Sequence, residues 1–147
     1  MPIEILSAYA REDEALLADV HRQLEFFNRR NIIRMWHDRL IPPGSQWQGQ
    51  IDDRLNRSDL ILLFASPHFL ASDYCVAEMT GAMSRYDRGD GRVIPTIARP
   101  CMWQGTPLAH LDVLPKDGKP ITSWSDRDEA CLNVAQGIMR VVARPKD

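Results

Sequence analysis

"LILLFAS", residues 60–66, places six apolar residues in succession before its first polar one. A strand with one solvated face alternates apolar and polar residues. An unbroken run belongs to a strand covered on both faces, as in the middle of a parallel sheet. Such a sheet needs helices on each side and crossover connections between strands. The flanking sequence supplies both. "IEILSAY" (3–9), "NIIRMWHD" (31–38) and "RVIPTIA" (92–98) are short and β-prone, and "PITSW" (120–124) is a brief fifth candidate at an edge. Between them, "REDEALLADVHRQLEFF" (11–27) carries acids in its first turn and apolar residues at Ala15, Leu16, Val20, Leu24 and Phe27, the period of an amphipathic helix. "WQGQIDDRLNRSD" (47–59) repeats the pattern with Trp47, Ile51 and Leu55.

The third helical stretch opens at Ser66-Pro67, a capping serine followed by proline at the first helical position. It restarts at Ser72 and closes at the two glycines of "RYDRGDG". Pro95 inside the fourth strand argues against ideal pairing along its whole length. The last helix begins at Ser125 or Asp126 and aligns Ala130, Val134, Ile138 and Val141. The expected fold is therefore α/β: a single domain over residues 1–147 with a flavodoxin-like five-stranded parallel sheet, order 2-1-3-4-5, flanked by helices. In that order the chain reverses direction between strands one and three, which opens a crevice outside their carboxyl ends. Its expected lining is Tyr9 to Glu12, Ser66 and Pro67, the loop "HDRLIPPGSQW" (37–47) and the inward face of the third helix.

With 147 residues, 44% of them hydrophobic and 26% charged, the chain is sized for one well-buried core. A net charge of −2 gives no support to a nucleic-acid partner, which calls for concentrated Lys and Arg. Cys75, Cys101 and Cys131 make neither an even disulfide set nor a CxxC pattern, so a reducing, cytoplasmic setting is expected. No apolar run is long enough for a membrane span, and "MPIEILSAYARE" is unlike a signal peptide. The polar ending "VVARPKD" would suit a domain joined to a further module.

Dinucleotide and P-loop glycine motifs, HExxH and GxSxG are all absent from the sequence, and His21, His37, His68 and His110 lack ligand spacing, so no metal or resident cofactor is expected. Glu78, in "SDYCVAEM" (72–79), stands out. The residues three and four positions away are Tyr74, Cys75, Gly81 and Ala82, none of them basic, whereas Glu25 has Arg29 and Asp53 has Arg57 at i+4. Two readings stand. Glu78 is a solvated surface carboxylate, or it sits at the edge of a small, apolar stripe where Gly81 and Ala82 leave room and a ligand's hydroxyls are its partners.

"SAYAREDE" (7–14), "WHDRLIPPGSQWQGQIDDRLNRSDLILLFASPHFLASDYCVAEM" (36–79) and "LPKDGKPITSWSDRDEA" (114–130) together resemble the successive signatures of a bacterial-type Toll/interleukin-receptor (TIR) domain. Ala8 stands where the family commonly has a serine. The resemblance implies the flavodoxin-like fold and one of two functions: cleavage of NAD+ between nicotinamide and ribose, or docking to other TIR domains through the loop after strand two. It matches Glu78 to the essential glutamate of the enzymes and Tyr74 to an aromatic one turn before it. The products would be nicotinamide and linear or cyclic ADP-ribose. NAD+ is then a substrate, and a defence effector acting by self-association is the expected role.

Around Glu78, Trp47 and Tyr74 are candidates to sandwich a ring of the dinucleotide, and Arg11 is a candidate to meet its pyrophosphate. Tyr9, Asp38 and Ser66 complete the candidate substrate-binding set. Three of these have a plainer alternative, Trp47 as helix packing, Arg11 as a solvated charge and Asp38 as a cap for its own loop, and Trp103 reads as a loop anchor rather than a ligand contact. Leu40, Ile41, Pro42, Pro43 and Gly44 form a proline-stiffened apolar protrusion suited to docking. A phosphoacceptor receiver is disfavoured, because Ser66-Pro67 stands where that chemistry needs an aspartate.

Overall fold

A computed structural model describes residues 1–37 and 53–144. Asp38, Leu40, Ile41, Pro42, Pro43, Gly44 and Trp47, singled out above, lie outside the described residues. The elements are β1 (Ile3–Ala8), α1 (Glu14–Arg29), β2 (Ile33–Trp36), β3 (Leu60–Ala65), α2 (Pro67–Ala71), α3 (Asp73–Asp87), β4 (Arg92–Ile97) and α4 (Arg127–Ala143). Residues 53–57 are also helical. The strands are parallel in the order β2-β1-β3-β4, the first four positions of the expected order.

β3 explains its own sequence. All six of its residues are buried. Leu60, Leu62 and Phe64 point into one core with Leu16, Leu17, Val20 and Leu24 of α1 and Val134 and Ile138 of α4. Ile61, Leu63 and Ala65 point into the other, with Phe69 of α2 and Cys75, Met79 and Ala82 of α3. Two dry faces leave no position for a polar residue. Each large side chain so buried contributes roughly 1.5–3 kcal/mol of transfer free energy, which is why this strand holds the centre.

The serine caps are as expected. Ser66 Oγ accepts from the Phe69 N–H at 3.0 Å and Ser72 Oγ accepts from the Cys75 N–H at 3.2 Å. Asp126 caps α4, accepting from the N–H groups of Asp128 and Glu129. Pro95 fits its strand because its carbonyl accepts from Leu114 N–H on the outer side of β4, so the missing proline donor faces away from β3.

The fifth strand is a correction. "PITSW" is not extended: Ile121–Ser123 form a 3-10 turn. Pro120 offers no ladder donor, and just upstream Asp117 and Gly118 take φ of 62° and 69°, which turns the chain sharply. Ile121 plugs the core instead. Beside β4 the sheet is extended among the described residues by a single parallel bridge, Thr96 to Leu114.

Candidate functional site

At the carboxyl ends of β1 and β3 lies a cavity of about 570 Å³, walled by Tyr9, Arg11, Glu12, His68, Ser72 and Tyr74. It stands at the point where the sheet's strand order reverses, where α/β sheets place their ligands. Three candidate substrate-binding residues therefore meet in one place: Tyr9, Arg11 and Tyr74. Tyr9 is 7% exposed; its hydroxyl donates to Glu14 Oε1 at 3.5 Å and its carbonyl accepts from the Cys75 thiol at 3.6 Å. The second contact ties the end of β1 to the first turn of α3. Arg11 and Glu12 stand exposed at the rim, and His68 Nδ1 lies 3.8 Å from Glu12 Oε2 across it.

Glu78 follows Tyr74 by four residues on α3, so the two share a helix face one turn apart. It is only 7% exposed. A carboxylate so buried is not the solvated surface group of the first reading, and Glu78 is not among the described residues that line the cavity. One expectation about its surroundings is corrected. Gly81 does not leave open space, because a Cβ there would stand 2.7 Å from Leu55 Cδ2, so the glycine admits a close approach of the 53–57 segment. Ala82 is fully buried.

Ser66 is placed differently from the cavity residues. It is fully buried, and its hydroxyl donates to Asp13 Oδ2 while accepting the capping bond from Phe69. Asp13 is the residue that sequence reasoning missed. Also fully buried, it receives Arg99 Nε–H on Oδ1 at 2.6 Å, so one carboxylate joins the start of α1, the end of β3 and the segment after β4. Nothing in the run "REDE" separates it from its solvated neighbours.

Behind Tyr9, on the α1 side, two histidines gather. The His37 ring stands edge-on to Tyr9 with centroids 6.1 Å apart, and His21 lies 5.7 Å from His37. His21 Nε2 shares a 3.1 Å hydrogen bond with Ser7 Oγ. Burial, and secondarily the neighbouring His37, push the His21 pKa down to about 4, so this imidazole is neutral near pH 7. No cluster of three metal-ligating side chains occurs among the described residues. Trp103 packs on Gly118, whose added Cβ would meet its ring at 3.2 Å, the behaviour of a loop anchor. All three cysteines are free thiols. No helix among the described residues is long and apolar enough to cross a membrane.

Comparison with known proteins agrees with this architecture. A family model described as "TIR domain" matches residues 5–132. The chain is 43% identical over 141 residues to "Uncharacterized protein y4lF" of Sinorhizobium fredii, an alignment spanning 95% of this chain and 44% of that relative's length. Among solved structures, the TIR domain of the Toll-related receptor TRR-2 from Hydra magnipapillata superposes with a TM-score of 0.67 at 23% identity, covering 95% of this chain and 98% of that one, a likeness of fold. With most of its length matched, the chain belongs to the TIR domain family.

Proposed function

We propose that this domain is an NAD+ glycohydrolase in which Glu78 is the catalytic carboxylate. The observation that carries the reading is the burial of Glu78, 7% exposed, one helical turn from Tyr74, a residue that lines the cavity at the carboxyl ends of β1 and β3. Water adds to the anomeric carbon while the bond to the pyridinium nitrogen breaks. The bonding pair leaves with nicotinamide, which departs neutral, and one proton is released from the water. No acid is needed for the leaving group. The barrier lies in the oxocarbenium-like ribose, and a carboxylate held largely out of water stabilises that charge more strongly than a solvated one. In this reading Tyr74 provides a stacking surface, Tyr9 shapes the cavity wall, and Arg11 at the rim meets the pyrophosphate. NAD+ is substrate here, with no resident cofactor. A cytoplasmic role in bacterial defence, through depletion of NAD+ by self-associated copies, is the setting this chemistry suits.

The test is nicotinamide release at high protein concentration. Glu78→Gln should lower the rate by at least about 10²–10³-fold with the circular dichroism unchanged, and Tyr74→Ala should raise KM more than it lowers kcat. Equal rates for Glu78→Gln and the parent would sink the assignment. The second reading is a docking module that engages other TIR domains through Leu40 and Ile41, two apolar residues in a proline-rich stretch of the sequence. Self-association without nicotinamide release at any concentration would favour it.

A further inference from the structure

The other end of the sheet carries a second concavity. Between the first residues of β4 and the last turn of α4 lies a cavity of about 350 Å³, within the range of small-molecule sites. Three arginines line it, Arg92, Arg140 and Arg144, with a single acid, Asp112. That is a local excess of cations in a chain whose net charge is −2. Arg92 has a structural occupation: Nη1 donates to the Val141 carbonyl at 2.6 Å and the Arg144 carbonyl at 3.4 Å, offsetting the negative end of α4. Arg140 and Arg144 are exposed and make no ion pair with any described carboxylate. The rest of the wall is largely apolar, from Ile94, Val113 and Leu114, and Tyr86 stands at its edge 44% exposed.

We propose that this pocket binds an organic phosphate of mononucleotide size, with its phosphate on Arg140 and Arg144 and its ring against the apolar wall and Tyr86. Cations gathered around a cavity repel one another unless an anion joins them. With Arg92 engaged by the carbonyls that end α4, Arg140 and Arg144 still outnumber the one carboxylate, Asp112, and leave a net positive charge for an anion. Planar guanidinium forks match phosphate oxygens in pairs. The apolar half of the wall would be idle with inorganic phosphate alone, and an aromatic base fills it while stacking on Tyr86. The site is separate from the cavity of Tyr9 and Tyr74, so the inference does not depend on the proposed reaction.

The test is titration of the isotope-labelled protein with AMP, adenosine and inorganic phosphate, followed by amide chemical shifts. AMP should shift Val93, Val113 and Gly137, inorganic phosphate should shift the same amides at higher concentration, and adenosine should leave them unmoved. Arg140→Ala and Arg144→Ala, both at exposed positions, should each weaken AMP by about tenfold. The proposal falls if millimolar AMP moves none of these amides, or if its binding survives both substitutions. It also falls if inorganic phosphate binds as tightly as AMP. Tighter binding of an acidic peptide than of AMP at these amides would overturn it in favour of a protein partner.

Discussion

Asp13 and His21 show how the surroundings of a single side chain decide its role. The Asp13 carboxylate is fully buried yet holds both the Ser66 hydroxyl and the Arg99 guanidinium, so its desolvation is offset by two charge-assisted bonds. Removing one partner of such a set leaves the other uncompensated. Arg99→Ala, which strands a buried carboxylate, should destabilise the domain by about 3 kcal/mol, read as a lower urea midpoint. Asp13→Asn keeps the bond from Ser66 and should cost less. His21 works through pH. Its folded pKa is about 4 against an ordinary 6.5, so the unfolded chain takes up the proton first as pH falls. The stabilisation from this group is complete above about pH 6.5, declines below that and is gone below about pH 4, a total on the order of 3 kcal/mol. His21→Leu should therefore flatten the fall in urea stability between pH 7 and pH 5 relative to the parent; parallel curves for the two proteins would refute it. Neither residue was legible beforehand. Asp13 sits in an acidic run and His21 on a helix, and their partners lie 86 and 16 positions away in the chain.

Among the elements, those whose surroundings are local were readable and those that depend on distant segments were not. β3 announced itself because two covered faces demand apolar residues at every position, and the caps at Ser66 and Ser72 because their bonds close within three residues. "PITSW" misled because β-prone composition says nothing about whether a neighbouring strand offers a ladder. The space beside Gly81 misled for the same reason: Leu55, far along the chain, fills it. Gly137 on α4 repeats that arrangement. A Cβ there would stand 2.5 Å from Leu114 Cδ2 and 3.1 Å from its Cγ, so the glycine admits the residue that bridges to β4. Gly137→Ala gains about 1 kcal/mol of helix propensity but overpacks Leu114 at about 1–3 kcal/mol, so a net loss is expected. In a Leu114→Ala background the clash disappears and the same substitution should stabilise. A double-mutant cycle of urea midpoints checks this: the sign of the Gly137→Ala effect must reverse between the two backgrounds.

For the molecule as a whole, parallel topology puts the cavity of Tyr9, Arg11 and Tyr74 at the carboxyl ends of the strands and the arginine pocket at the amino end of β4. The reading of the first as an NAD+ site carries a consequence for assembly. The apolar segment Leu40, Ile41, Pro42, Pro43 and Gly44 follows β2 in sequence, and β2 pairs with β1, whose end opens on the cavity. A contact that sets this segment of one copy against a different surface of the next is heterologous, so it builds rings or open filaments rather than closing on itself as a pair. If the substrate site is completed by such a neighbour, nicotinamide release per molecule should rise with protein concentration and level off once assembly is complete. An isolated copy should be nearly inactive. If that segment carries the association, Leu40→Asp with Ile41→Asp should lower sedimentation-measured assembly and specific activity together. Glu78→Gln should abolish activity with assembly unchanged. Specific activity independent of concentration, over a range in which sedimentation shows assembly, would establish that each copy carries a complete site and would confine the segment of Leu40 and Ile41 to docking.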